Sequence, residues 1–314
     1  MKVKKMKFKL VSFRGKTTKK IVLFLCLLFC IILTAEILLR CIWGFGTMPL
    51  YVKSDKYEYM FAPNQEMTRF GEYFFTNSYC QRNQEPDSTK IIILGIGDSV
   101  INGGSQTHND SLATNIISKE TDFQMLNISA GSWGPDNCAA YLKQWGTFNA
   151  KAIFVLLSSH DANDIMNFSP TVGIHKSFPA KQYPLAILEV IDRYIIPRLI
   201  PKGNNLDPDQ KVLKGIDKGE KFNNGWKELK SIAENANMPL IVILHAEISE
   251  IRKQEYNNKG QMIEKWASDN NIKLIKDISY LQESHYRDQI HINNSGQRVI
   301  ADIIKQELKL IFKN

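Results

Sequence analysis

Hydrophobic and polar positions divide the chain into three regimes. Residues 21–33 are all apolar or cysteine, and the run continues less purely to Trp43. At about 1.5 Å per residue, roughly 20 residues cross the hydrocarbon layer, so 21–43 is predicted as a membrane-spanning helix. Glu36 and Arg40 are spaced to pair on one face near its far end, with Trp43 at the interface. Residues 44–88 are aromatic and polar with no long helical period. They predict a stalk with short strands that packs on the domain's side, its aromatics serving packing rather than sugar binding. From residue 90 onward short β-branched runs alternate with amphipathic stretches. Strands are expected at 90–94, 123–128, 152–157, 240–244 and 272–275, and helices at 111–120, 136–145, 223–235, 257–270 and from Ser295 onward. This alternation predicts an α/β fold, a doubly wound parallel five-stranded sheet arranged as a flavodoxin-like sandwich.

An insertion, 165–225, interrupts the alternation. It is rich in proline, and a connection of that length inside a compact domain is usually functional or disordered. Within it, Leu185, Leu188, Ile191, Ile195 and Leu199 keep a helical spacing, so 185–200 is expected as an ordered helix that either covers the active site or rests on the membrane. The domain plan is therefore a basic tail (1–20), a membrane segment (21–43), an extension (44–88) and an α/β domain (89–314) carrying the insertion.

Charge sharpens this plan. The chain carries a formal net charge of +8, but residues 1–20 hold nine Lys or Arg and no acid, leaving 8 − 9 = −1 for the rest. The basic balance belongs to the tail and gives no reason to expect nucleic-acid binding by the folded part. Basic residues before an apolar span place the tail in the cytoplasm and the remainder outside, periplasmic or extracellular. No small-x-small cleavage site follows the span, so an uncleaved single-pass anchor in the cell (inner) membrane is expected. Cys26, Cys30 and Cys41 belong to the span. Cys80 and Cys138 could pair outside the cell but are read as structural.

Candidate chemistry lies at two distant places. The apolar run from Lys90 stops at Gly95-Ile96-Gly97-Asp98-Ser99, a strand ended by glycines, which delivers a hydroxyl to the crevice where α/β sheets bind ligands. Val100 replaces the third glycine of a dinucleotide loop, and no Gly-Lys-Ser/Thr follows, so both nucleotide readings fail. A serine that merely caps the next helix is the alternative. Near the C-terminus, Asp288 and His291 stand three apart before a helical pattern, so the carboxylate can hold one imidazole nitrogen while the other points outward, as in a serine triad. The turn 127–136 is rich in glycine and opens a helix at Pro135, presenting backbone N–H groups of the kind an oxyanion needs.

Gly-Asp-Ser at 97–99 and Asp-x-x-His followed by Asn-x-x-Gly at 288–296 resemble the GDSL, or SGNH, hydrolases across residues 88–312. The resemblance implies Ser99 as nucleophile, His291 as general base and Asp288 as its partner, with Val100 standing where that motif has leucine. It also implies a second oxyanion donor at the backbone of Gly131 or Ser132, and a side-chain donor after the third strand. Matching residue types puts that donor at Asn163, and counting from the strand end puts it at His160. Pro63-Asn64-Gln65 and Thr76-Asn77-Ser78-Tyr79 are similar to an extension found in membrane-anchored bacterial members that serve surface polysaccharides, with Cys80 where those have glycine.

The expected function is a membrane-anchored extracytoplasmic serine esterase acting on acyl groups of cell-surface carbohydrate. The expected partners are that acylated carbohydrate or another ester, the membrane itself and polysaccharide-synthesis proteins. A polysaccharide O-acetyltransferase with the same triad and an inactive carbohydrate-binding or assembly protein are the alternatives. No cofactor is expected. His285, Asp288 and His291 recur at three-residue spacing but lack the further partners of a metal site, so no metal is expected either.

Overall fold

The computed structural model describes residues 15–199 and 221–312. The tail up to residue 14, and residues 200–220 of the insertion with Pro201 and Pro208, lie outside them. The first element among the described residues is helix α1 (Lys16–Trp43), which ends at Gly44 in a left-handed conformation. Its stretch Thr17–Trp43 is long and apolar enough to cross a membrane. Arg40 and Glu36 pair on it at 2.6 Å, as their spacing predicts.

Residues 45–88 form two antiparallel hairpins, β1 (Tyr51–Ser54) with β2 (Glu58–Phe61) and β3 (Glu66–Arg69) with β4 (Glu72–Phe75). Tyr57, Tyr59, Phe61 and Phe74 are buried where these hairpins meet the domain. Tyr59 packs edge-on to Phe178 at 4.7 Å, and Phe61 to Phe74 at 4.9 Å. The 63–65 and 76–79 segments are stitching for the hairpins. Gln65 bonds both backbone groups of Leu50, and the Asn77 side chain accepts the N–H groups of Tyr79 and Gln81. Cys80 adopts φ 67°, the left-handed conformation that glycine adopts most cheaply, and so closes the turn despite its side chain. Cys80 and Cys138 are both buried free thiols.

The five expected strands are β5 (Ile91–Gly97), β6 (Phe123–Ser129), β7 (Ile153–Ser158), β8 (Leu240–His245) and β9 (Lys273–Lys276). They pair in parallel in the order β6-β5-β7-β8-β9. Counted within the sheet this is 2-1-3-4-5, the flavodoxin-like order, whose direction reverses beside β5 and opens a crevice at the carboxyl ends of β5 and β7. Between and after these strands run α2 (Ser99–Asn102), α3 (Ala113–Glu120), α4 (Pro135–Trp145), α5 (Ala186–Val190), α6 (Ile196–Leu199), α7 (Gly225–Asn235), α8 (Ile248–Lys253), α9 (Asn258–Asp269) and α10 (Asn294–Ile311). α3 packs with α10 and α4 with α7, and right-handed crossovers put these two pairs on opposite faces. Ile93, Leu94 and Ile96 on β5, and Phe154, Val155 and Leu157 on β7, are wholly buried, which explains why the central strands read as continuous apolar runs. Gly97 is required by contact: a Cβ there would stand 2.1 Å from the Leu156 carbonyl oxygen of β7.

The insertion returns to α1. Glu36 accepts the N–H groups of Ala186 and Ile187 at 2.7 and 3.0 Å, capping the start of α5, and Arg40 donates to the Pro184 carbonyl at 2.8 Å. The expected helix over 185–200 is present as α5, a π-helical turn (Ile191–Ile195) and α6. Glu189, fully buried, pairs with Arg69 of β3 and accepts the Gly46 N–H at 2.6 Å. One carboxylate thus joins the insertion, the hairpins and the exit of α1. Removing one partner of a buried pair strands the other, so Glu189→Ala is expected to cost about 3–5 kcal/mol. Replacing both at once, Arg69→Met with Glu189→Leu, is expected to cost clearly less in denaturant unfolding of the full chain in detergent.

Candidate active site

The site is assembled at the carboxyl ends of β5, β6 and β7 and closed by the loop before α10. After Gly97 the chain turns sharply into α2. Asp98 caps it by accepting the Val100 N–H at 2.8 Å, so its carboxylate is spent on the turn and Ser99 is left at the first helical position. Asn102, at the other end of α2, donates to the Ser129 carbonyl at 3.0 Å and fixes the short helix to the end of β6.

His291 arrives from 192 residues away, and its Nε2 lies 2.9 Å from Ser99 Oγ. Its Nδ1 lies 2.8 and 3.0 Å from the two oxygens of Asp288. Asp288 also accepts the N–H groups of Ile290 and His291 at 3.0 and 2.8 Å. Burial would raise the Asp288 pKa, but those two backbone donors and the His291 ring outweigh it and hold the carboxyl below its ordinary value. The three residues singled out in sequence therefore form one connected line from hydroxyl to imidazole to carboxylate. His285, third in the spacing that suggested a metal, turns elsewhere: its Nδ1 accepts the Gln282 N–H at 3.0 Å.

Several residues that sequence reading did not assign hold the His291 loop in place. His245, at the end of β8 and fully buried, has Nδ1 2.6 Å from Asp277 and Nε2 2.8 Å from the carbonyl of Ile290, next to the catalytic candidate. Burial opposes charge on this ring, yet Asp277 and the Ile290 carbonyl raise its pKa, because both nitrogens face acceptors. Arg287 donates to Thr107 Oγ1 at 3.0 Å and to the Gly103 carbonyl at 3.1 Å, just past α2. Buried Gln297 bridges Val100 and Ala113, donating to the first carbonyl at 2.7 Å and accepting the second N–H at 2.9 Å. From the other side, Arg82 of the extension is buried against the Phe74 ring and donates to the carbonyls of Asn102 and Thr107. The only sequence signal for these was position: His245 ends β8 and Asp277 follows β9, its parallel neighbour.

The oxyanion candidates lie around the serine's end of the crevice. β6 ends at Ser129, and the turn that follows sets Ser132 at φ 57°. The Tyr59 hydroxyl donates to the Gly131 carbonyl at 3.0 Å and so faces that peptide's oxygen away from the turn's donors. Among the described residues, the N–H groups of Ser99, Gly131 and Ser132 have no protein acceptor. β7 ends at Ser158, where a 3-10 turn, Ser159–Ala162, begins at once, and Asp161 accepts the Ser158 N–H at 2.7 Å.

His160 projects from this turn. One of its ring nitrogens and one carboxylate oxygen from each of Asp98 and Asp161 all fall within 4.8 Å of one another. Burial opposes its charge, but Asp161, Glu247, Asp98 and Asp164 raise its pKa to about 10, so the ring is itself the cation of this acidic cluster. Burial in turn lifts Asp161 to about 7, with His160 pulling the other way. Asn163 closes the turn by donating its N–H to the His160 carbonyl at 3.2 Å, and is buried.

No family model and no curated protein matches the sequence. Among solved structures the chain is similar to a lipolytic G-D-S-L family protein from Veillonella parvula, with 12% identity over 69% of this chain and 97% of that one and a TM-score of 0.37. It is also similar to a carbohydrate acetylesterase from Sinorhizobium meliloti, at 10% identity over 71% and 100% of the two chains and a TM-score of 0.42. An inhibitor-bound aryl esterase of M. smegmatis matches at 11% identity over 70% and 98%, with a TM-score of 0.41.

Proposed function

We propose that the protein is a serine ester hydrolase of the SGNH type, held at the membrane by α1 with its α/β domain outside the cell. The observation that carries this is the 2.9 Å contact between Ser99 Oγ and His291 Nε2, with Asp288 on the far side of the ring. In the reaction His291 takes the Ser99 proton as Oγ attacks the ester carbonyl, and Asp288 stabilises the imidazolium that results. His291 then protonates the leaving alkoxide, and an acyl-serine remains. Water, deprotonated by the same imidazole, releases the acid and restores Ser99. Across both steps the negative oxygen is held by the N–H groups of Ser99 and of Gly131 or Ser132, and by a side chain from the β7 turn.

For that side chain we assign His160 rather than Asn163. Its nearness to Asp98, the residue before the nucleophile, supports this, and so does its charge: a protonated imidazole is a stronger donor to a developing oxyanion than a neutral amide. The substrate we assign is an acyl group on cell-surface carbohydrate. Support comes from the sequence resemblance of the extension to that of anchored members serving such polymers, and from an apolar span preceded by nine basic residues.

Treating the purified full chain with a fluorophosphonate is expected to label Ser99, and labelling is expected to disappear in both Ser99→Ala and His291→Ala. Hydrolysis of activated acetyl esters should fall at least about 10⁴-fold in Ser99→Ala. Absence of any labelling would leave a binding protein instead. Released acetate, compared with acetylated oligosaccharide when an acceptor is added, tells hydrolysis from transfer.

His160→Ala should lower turnover by about 100-fold, and Asn163→Ala should leave it within a few fold. Because the His160 pKa is raised, its charge is present below about pH 10 and lost as pH rises through it. Turnover of the native protein should therefore fall through that range, and in His160→Asn, which has no such proton, the decline should vanish. For the anchor, cell fractionation should find the intact chain in the membrane and its domain open to external protease. A soluble form shortened by some forty residues would replace the anchor with a cleaved signal.

A further inference from the structure

The helical run of the insertion is built inside out for a helix on a water-soluble domain. Where it touches the rest of the protein its long side chains are mostly polar: beside the small, buried Ala186, Glu189 is wholly buried against Arg69 and Gly46, and half-buried Arg193 bonds the Lys176 carbonyl. Asp192 is bound by Lys176 at 3.0 Å and by the Tyr183 hydroxyl. Where it faces away it is apolar. Leu185, Leu188, Ile191, Ile195, Ile196 and Leu199 are all exposed large side chains, Leu199 at 74%. An exposed apolar face of this kind is usually a binding surface, and here it does not stand alone. Glu36 of α1 caps the start of α5, and Arg40 holds Pro184. Tyr194 packs edge-on to Phe45, at 5.5 Å, where the chain leaves α1. The apolar face therefore begins beside the outer end of the helix that is itself apolar on every side.

We propose that residues 185–199 form a second membrane contact, lying in the outer interface of the bilayer beside α1 with the apolar face in the acyl chains. This rests on the reading of α1 as a membrane span. The occupant is lipid because the face is continuous with the exposed apolar surface of α1 at the Glu36–Arg40 level, and Lys181 and Arg198, both exposed, flank it where anionic headgroups would lie. A helix in the interface plane needs one apolar and one polar side, and here the polar side is supplied with partners by the protein itself. The α/β domain is then held at two points rather than hanging from one. The insertion also reaches the active site, since Phe178 lies 3.9 Å from where a Gly131 side chain would start, so the second contact fixes the crevice relative to the bilayer.

The test uses the full chain in phosphatidylcholine/phosphatidylglycerol nanodiscs. Cys26, Cys30 and Cys41 are replaced by serine, leaving the buried Cys80 and Cys138. Single cysteines are then introduced as Leu188→Cys, Ile195→Cys and, as a domain-surface control, Lys227→Cys. A fourth protein keeps only Cys30 of the span. Each is labelled with an environment-sensitive nitrobenzoxadiazole dye and quenched either by lipid-borne doxyl groups or by aqueous iodide. Quenching by doxyl lipid at 188, 195 and Cys30, with iodide quenching at 227, is the expected result, with the signal at 188 and 195 at least two-fold more sensitive to lipid quencher than at 227. Doxyl quenching at Cys30 with iodide quenching at 188 and 195 would overturn the second contact and leave the anchor standing. Shielding of 188 and 195 from both quenchers would overturn it in favour of a protein surface, either another segment of this chain or a second copy. Loss of doxyl quenching at Cys30 itself would overturn the anchor, and the interfacial helix with it.

Discussion

A hydroxyl and an imidazole 192 residues apart can share a proton only if the backbone brings them to within about 3 Å and keeps them there. Much of the site's architecture follows from that constraint. The hydroxyl's side of the contact is rigid because β5 is buried on both faces and Gly97 lets β7 approach where no side chain would fit. The histidine's side is a loop, and loops do not hold a distance unaided. Its rigidity comes from polar links in three directions: to β8 and β9 through buried His245 and Asp277, to α2 and its exit through half-buried Arg287, and to α2 and α3 through buried Gln297.

These links also explain why the sequence disclosed the three residues of the hydroxyl–imidazole–carboxylate line more readily than the ones that hold them. Ser99, Asp288 and His291 carry local signals, a strand stopped by glycines and a carboxylate three positions before a histidine. His245 and Asp277 lie 32 residues apart and meet only because β8 and β9 are neighbours in the sheet. Arg82 and Gln297 look like ordinary surface polar residues until the fold buries them. The five strands, by contrast, were legible nearly to their ends, since a sheet covered on both faces needs unbroken apolar runs. The register of the β7 turn was ambiguous because residue type and position pointed to different side chains. The 3-10 turn starting directly after Ser158 leaves His160 beside Asp98, a juxtaposition that depends on where the strand stops.

The extension and the insertion show the same contrast. Aromatic content announced that residues 45–88 would pack, but the route by which they brace α2, through Arg82, depends on partners 20 to 27 residues further on. The spacing of Leu185, Leu188, Ile191 and Ile195 predicted a helix correctly and left open which side it would bury. The burial of Glu189 reversed the usual expectation, and that reversal ties the insertion and the hairpins to the exit of the apolar helix α1.

The most direct measurement of the central claim is an experimental structure of the protein after reaction with an alkyl fluorophosphonate. The account predicts continuous density from Ser99 Oγ to phosphorus, with His291 Nε2 within hydrogen-bond reach of the ester oxygen. The phosphoryl oxygen should lie against the N–H of Ser99, the turn at Gly131 and Ser132, and the His160 ring. Phosphorus bound to any other side chain, or a phosphoryl oxygen turned to solvent away from these donors, would contradict it.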